Sequence, residues 1–307
     1  MKNYYLAPLE GITGFVFRNT YEKHFGGISK YFTPFITTNQ HFAFQNRDKR
    51  DILPENNVGL YLVPQILTNN AEQFLDMVEK LMNFGYQEIN LNLGCPSKTV
   101  VTKKKGSGFL AYPEELDQFL DEIFEHKKDV EISIKTRIGM EAPEEFDGLL
   151  EIYNKYPLKE LIIHPRLQTD YYKNHPNMEV FAKAIEESKA PLCYNGDLFT
   201  VEEIQNFQKK HPQIENIMLG RGILKTPSLL EELQGKSRNY QQWYEFLSDL
   251  CEAYEEELSG ERNVLFKMKE LWFYLFQSLP DNEKAVKAMR KVKDLAEYKM
   301  LVRKILK

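Results

Sequence analysis

Residues 87–94 read QEINLNLG, a short β-rich apolar run that ends on a glycine and is followed at once by Cys95 and Pro96. Runs of the same kind recur: YYLAP (4–8), KYFTPFI (30–36), VGLYLVPQI (58–66), VEISIKTR (130–137), KELIIHPR (159–166), PLCYNGD (191–197) and NIMLGRG (216–222). Segments with helical spacing lie between them. Ala71 to Phe84 puts Phe74, Leu75, Val78, Leu81 and Met82 toward one side, and Pro113 to His126 opens with a proline followed by two acids. Alternation of β runs with amphipathic helices is the signature of parallel βα units. With the run at 87–94 there are eight, the number that closes a barrel. The expected fold class is α/β: a (β/α)8 TIM barrel, whose usual length of roughly 250 residues agrees with an end near residue 235.

Beyond the polar stretch QGKSRN (234–239) the chain carries no strand signal. From Tyr240 it reads as three or four helices broken near Ser259-Gly260, Leu279-Pro280 and Lys291 to Asp294. Two domains are expected, a catalytic barrel over 1–235 and a small all-α domain over 240–307. The net charge of −5 argues against a protein that coats nucleic acid, but it averages an asymmetry. Residues 261–307 hold 12 Lys and Arg against 6 Asp and Glu, whereas residues 1–260 hold 28 against 39. Such a tail is either a solvated helical face or a phosphate-contacting surface.

The opening MKNYYLAPLEG is interrupted by Pro8 and Gly11 and fits neither a signal peptide nor a spanning helix, so a cytoplasmic protein without membrane contact is expected. Cys95, Cys193 and Cys251 are odd in number, far apart and without a C-x-x-C pair, which points to neither a disulfide framework nor a zinc site. No metal is expected.

A barrel of this kind does its chemistry where its strands end. Here those ends are polar: Pro8-Leu9-Glu10, Gln65, Asn92-Leu93-Gly94-Cys95, Lys135-Thr136-Arg137, His164-Pro165-Arg166, Asn195-Gly196-Asp197 and Gly220-Arg221. The endings of the seventh and eighth runs suit a phosphate, because glycines let backbone N–H groups approach an anion and Arg221 adds charge-assisted bonds. Lys135 sits inside an expected buried strand, where an unpaired ammonium is costly. It therefore needs an anion: a structural ion pair, a Schiff-base role or the negative edge of a reduced flavin. His164 could bond the same anion or serve as a structural residue. Gly94 and Pro96 turn Cys95 sharply into the opening. With no histidine nearby in sequence to make a thiolate, it reads as an acid rather than a nucleophile. Cys193 and Cys251 read as small buried hydrophobes.

Together these segments resemble the bacterial tRNA dihydrouridine synthases, FMN-dependent and NADPH-consuming barrels with a helical C-terminal domain. LAPLEGITG (6–14) is similar to the family's N-terminal flavin-binding motif, and LNLGCPSKTV (91–100) followed by KKGSGFL (104–110) resembles its active-site segment. IKTRIG (134–139), His164 to Tyr171, YNGD (194–197) and LGRG (219–222) follow in the family's order and spacing. FKMKELWFYL (266–275) is similar to the helical domain of the dihydrouridine synthase C branch, so the resemblance spans nearly all of the chain. Two departures stand out: Leu9 replaces the usual methionine, and His-Pro-Arg-Leu replaces His-Gly-Arg-Thr at 164–167.

The resemblance implies that Pro8, Leu9, Glu10 and Gln65 line the flavin and that Lys135 and His164 contact its ring system. Asn195, Gly196, Asp197, Gly220 and Arg221 would hold the ribityl chain and phosphate, with Asn92 and Arg166 near the substrate base. It implies that NADPH first reduces FMN, after which a tRNA uridine of the D-loop region enters the same mouth. C6 would then receive hydride, and Cys95 would protonate C5. Arg262, Lys267, Lys269, Arg290, Lys291 and Lys293 are the implied tRNA contacts, and no obligatory protein partner is evident. Three other readings stay open at this level: a dihydroorotate-dehydrogenase-like flavoenzyme for a small molecule, a non-catalytic RNA-binding barrel, and a lysine Schiff-base aldolase.

Overall fold

Nine short parallel strands take up the β-rich runs: β1 (Asn3–Leu6), β2 (Lys30–Phe32), β3 (Leu62–Val63), β4 (Gln65–Ile66), β5 (Glu88–Leu93), β6 (Glu131–Arg137), β7 (Glu160–His164), β8 (Leu192–Tyr194) and β9 (Asn216–Leu219). The structure is a computed structural model and describes residues 2–37, 43–280 and 282–307. The hydrogen-bonded order is β3-β2-β1-β9-β8-β7-β6-β5-β4. Its two ends, β3 and β4, are halves of one run separated only by Pro64, which has no N–H to give to a ladder. Leu62 and Val63 pair with β2, while Gln65 and Ile66 pair with β5. The sheet therefore closes on itself with eight strand positions, as the eight runs predict. The run at 58–66 is shorter as a strand than its apolar content suggests: Gly59 takes a positive φ of 82° and Val58 is 81% exposed, so pairing starts at Leu62.

Helices follow the strands and start where the local chemistry dictates. Asn70 caps Ala71–Asn83 by accepting from the Gln73 N–H at 2.8 Å, and Phe74, Met77, Val78 and Leu81 make its buried stripe. Thr200 and Glu203 form a reciprocal capping box on Val201–Lys210, a device worth about 1 kcal/mol. From Tyr240 on, the described residues form four α-helices, Tyr240–Glu257, Glu261–Leu275, Glu283–Lys291 and Leu295–Leu306.

Contacts divide the chain into two compact units. The first comprises Met1–Pro8, Ser29–Asp197 and Pro212–Met218, and holds the strands up to Met218. Its interior includes an apolar cluster of Tyr5, Ala7, Phe32, Val63, Ile162, Cys193 and Met218. The second comprises Leu9–Ile28, Leu198–His211 and Leu219–Lys307. Phe246 of Tyr240–Glu257 meets Phe17, Tyr21 and Phe25 edge-on at 5.2–6.4 Å, which ties that helix to Phe15–His24. Trp272 and Tyr298, both buried, join Glu261–Leu275 to Leu295–Leu306 by a 3.0 Å hydrogen bond.

Candidate active site

Cys95 follows β5 in a turn that is held from three sides. The side-chain oxygen of Asn92 accepts from the backbone N–H groups of Gly94 (3.0 Å) and Cys95 (2.9 Å). The Cys95 carbonyl accepts from Ser107 N–H (3.1 Å) and from its hydroxyl (2.8 Å). The Gly94 carbonyl accepts from Arg137 Nε at 3.0 Å. Gly106 makes room for this arrangement: its φ is +56°, and a Cβ there would lie 2.9 Å from the Cys95 carbonyl oxygen and 3.0 Å from Cys95 Cβ. Cys193 and Cys251 are buried, whereas Cys95 is only half-buried.

Strand register explains how polar groups come to fill a barrel interior. Gln65, Asn90, Ser133 and Glu160 stand opposite one another on β4, β5, β6 and β7, and Asn92 stands opposite Lys135 one layer nearer the mouth. Gln65 donates to Asn90 (2.8 Å), Asn90 to Ser133 (2.9 Å) and Ser133 to Glu88 (3.0 Å). Asn92 donates back to Gln65 at 2.7 Å, so the Cys95 turn is the upper end of this chain. At the lower end the Lys30 ammonium lies 2.9 Å from Glu88 and 3.8 Å from Glu160. Tyr5 and Asn216 also donate to Glu160, at 3.2 and 2.5 Å. Most of these buried groups thereby gain partners that offset their desolvation, although Glu160 Oε2 accepts no hydrogen bond among the described residues and has only the Lys30 charge beside it.

Lys135, half-buried by its surface exposure, stands apart from this chain. Its ammonium makes no hydrogen bond or ion pair among the described residues, and desolvation followed by the Arg137 charge pushes its pKa down to about 8. Cys95 is close enough to act electrostatically on it. His164 is neutral, because burial and then the charges of Arg137 and Lys135 hold it well below the usual imidazole range. Its Nδ1 lies 2.5 Å from the Asn195 carbonyl, which fixes the Nδ1–H tautomer and turns Nε2 toward Arg166, 3.4 Å away.

Arg166 and Asp197, expected at the substrate and the phosphate respectively, form a bidentate pair with each other. Arg166 also donates to the Asn174 carbonyl at 2.6 Å. Asn195 donates to the Met218 carbonyl at 2.9 Å, and at Gly196 any Cβ would fall within 2.0 Å of the Tyr194 hydroxyl. Arg137, which the sequence places among the polar strand ends without a role, is fully buried and donates to Gly94, Leu167 (2.7 Å) and Tyr171 (2.8 Å) carbonyls. It fastens the Cys95 turn to the loop after β7, where Tyr171 takes a φ of +49°.

The remaining expected residues lie in the second unit, Pro8 excepted. Leu9 opens a turn in which its carbonyl accepts from Ile12 and Thr13 N–H groups, and Glu10 is exposed. Lys267 donates to the carbonyl of Gly11 in that turn. Gly220 precedes the short helix Arg221–Lys225, with the Arg221 guanidinium 5.2 Å from the centre of the Phe199 ring. A Cβ at Gly222 would lie 2.2 Å from the Leu198 carbonyl oxygen. Lys269 donates to the Val292 carbonyl at 2.5 Å, while Arg262, Arg290, Lys291 and Lys293 are exposed. Among the described residues no cluster of three His, Cys, Asp or Glu could hold a metal ion, and no helix is long and apolar enough to cross a membrane.

A family model described as Dihydrouridine synthase (Dus) matches residues 5–307. A tRNA-dihydrouridine(16) synthase of Pseudomonas putida is 26% identical over 97% of this chain and 95% of its own length. A tRNA-dihydrouridine(16) synthase of Pseudomonas syringae is 27% identical over 74% and 73%, and a tRNA-dihydrouridine synthase B of Pasteurella multocida is 24% identical over 75% and 68%. These names do not support the resemblance to the C branch. Among solved structures, morphinone reductase in complex with tetrahydroNAD is similar in fold, with a TM-score of 0.50 and 11% identity over 77% of this chain and 88% of that one.

Proposed function

Because the chain belongs to the dihydrouridine synthase family, we propose that it reduces the C5–C6 double bond of a uridine in the D-loop region of tRNA, with bound FMN and NADPH as reductant. The observation that carries the reading is Lys135, an ammonium in a depressed state with no anion beside it among the described residues, next to a thiol held on a rigid turn. A cation so placed fits a cofactor that gathers negative charge at its ring edge.

When bound, FMN supplies the hydride that C6 receives. Lys135 and His164 would meet its ring, with Pro8, Leu9, Glu10 and Gln65 lining it. Asn195 to Asp197 and Gly220 with Arg221 would take the ribityl chain and phosphate, Arg166 acting there through its pair with Asp197. Cys95 holds a proton on Sγ and gives it to C5, so the thiol must be protonated before each turnover. Asn92 fixes the position of that sulfur through the Cys95 N–H and stands at the base. The base must first leave its stack, a cost of a few kcal/mol that is smallest in a loop. Residues 240–307 would grip the tRNA by phosphate contacts from Arg262, Arg290, Lys291 and Lys293, with Lys267 and Lys269 supporting them from inside the unit. Such a protein works in the cytoplasm. The test is to purify the protein, record its flavin absorbance, and map dihydrouridine in tRNA incubated with it and NADPH. A colourless protein that takes up no FMN would sink the reading.

A further inference from the structure

The helix Glu261–Leu275 exposes two large rings, Phe266 and Phe273, each 70% accessible. At about 100° per residue, Arg262, Phe266 and Phe273 fall within an arc of about 40° on one stripe. All three are exposed, while Val264, Leu265, Met268, Leu271 and Trp272 on the other side are buried. Fully exposed phenylalanines forgo the roughly 2 kcal/mol that burying each would contribute, which marks such a pair as a contact surface.

The charge around the stripe identifies its partner. Lys269 lies between the two rings in sequence, and its ammonium is engaged by the carbonyls of Val292 (2.5 Å) and Arg290 (3.4 Å). Those bonds place the end of Glu283–Lys291 beside Lys269, so the exposed Arg290, Lys291 and Lys293 flank the point where the two segments meet. Glu270, the nearest acid, sits half-buried at the stripe's edge. Flat apolar rings bracketed by exposed cations are the combination that binds unpaired nucleotides, the bases stacking and the phosphates pairing.

We infer that Phe266 and Phe273 form a base-stacking platform for unpaired loop nucleotides of the RNA substrate. The inference rests on the proposed tRNA reading and adds to it a sequence-tolerant, salt-insensitive contact that cations alone do not give. Stacking on two rings holds the RNA while the target uridine is drawn out elsewhere. These residues act on binding and not on the reacting atoms.

The experiment measures tRNA affinity of the FMN-loaded enzyme by fluorescence anisotropy at two salt concentrations. It compares the wild type with Phe266→Ala/Phe273→Ala, Phe266→Leu/Phe273→Leu and Phe266→Tyr/Phe273→Tyr. The Ala and Leu pairs should bind about 10- to 100-fold more weakly, with an unchanged salt slope and unchanged reduction of FMN by NADPH. The Tyr pair should stay within about 3-fold of wild type. Wild-type affinity in the Ala pair overturns the inference, and so does wild-type affinity in the Leu pair, which would show apolar contact without stacking. A wild type that is dimeric by light scattering and an Ala pair that is monomeric would assign the stripe to a second copy of this chain and also overturn it. Failure of the wild type to make dihydrouridine would defeat the functional reading alone, since the affinity series still decides the stacking.

Discussion

Asn92 holds Cys95 by its backbone and not by its thiol: the amide oxygen caps the Cys95 N–H at 2.9 Å while the amide nitrogen reaches Gln65. The turn that positions Cys95 is therefore built without Asn92 touching the sulfur, and turn and thiol can be altered separately.

Cys95→Ala leaves that turn intact. It is expected to bind FMN and to be reduced by NADPH at the wild-type rate, yet to form dihydrouridine about 10²- to 10⁴-fold more slowly, the range for loss of a positioned acid. Stopped-flow absorbance reads the first step and nucleoside analysis the second. Normal product formation would remove Cys95 from the mechanism.

Gly106→Ala tests the turn itself. A methyl group would press on the Cys95 carbonyl and on Val100, and the left-handed φ adds strain of about 1–2 kcal/mol. Denaturant unfolding should show a loss of at least that size, together with slower turnover of the FMN-loaded enzyme. An unchanged midpoint would mean the loop relaxes freely.

Lys135 should make cofactor affinity pH-dependent. Its folded value near 8 lies below the ordinary 10.5, so its charge burdens the fold below pH 8, and stability from this group rises between pH 8 and 10.5. The anionic ring of reduced FMN needs the charge, so affinity for the reduced cofactor should fall up to about tenfold per pH unit above 8. Lys135→Met should bind weakly and without that slope. The reduction potential of the bound flavin relative to free FMN across pH 7–10 measures both, and a difference that does not change with pH in the wild type would exclude Lys135 as the anion's partner.

Lys30 keeps two buried carboxylates tolerable. Lys30→Met leaves Glu88 and Glu160 facing each other without a cation, and should cost about 3–5 kcal/mol. Burial, helped by the Glu88 charge, raises the Glu160 carboxyl above the usual 4.5. A raised acid stabilises the fold below 4.5, and that contribution is lost as pH rises through the folded value. Glu160→Gln should therefore flatten the decline of Tm above pH 4.5 and partly rescue Lys30→Met.

Lys267 separates two kinds of basic residue in the helical segment. Its ammonium serves the Gly11 carbonyl, so Lys267→Met should weaken FMN retention and leave the salt slope of tRNA binding unchanged. Arg290→Ala with Lys291→Ala should do the reverse, each lost phosphate contact lowering the slope by about 1. Matching behaviour in both variants would refute the distinction.

The barrel was legible because its strand and helix signals are local: eight β runs, capped helices between them, and Gly94-Cys95-Pro96 after the fourth run. The polar chain beneath the mouth was not read, although its signal is present in Glu88, Asn90 and Asn92 and in Ser133, Lys135 and Arg137, where every second residue is polar. Which of these groups meet depends on inter-strand register, which no single strand contains. Arg137 and Arg166 illustrate the same limit. Both end a strand, but their partners lie on loops whose path is fixed only by the folded chain. The Phe266 and Phe273 stripe, by contrast, follows from helical spacing once the helix is placed.

The seam formed by β1 and β9 sets the order of events during synthesis. Asn3 gives its N–H to Glu215, so the first strand waits for a neighbour more than two hundred residues behind it. At about 5–20 residues per second the ribosome needs roughly 10–40 s to deliver that neighbour. For that interval Tyr4, Tyr5 and Leu6 present an unpaired edge, and the nascent chain depends on whatever shields it until the ring can shut.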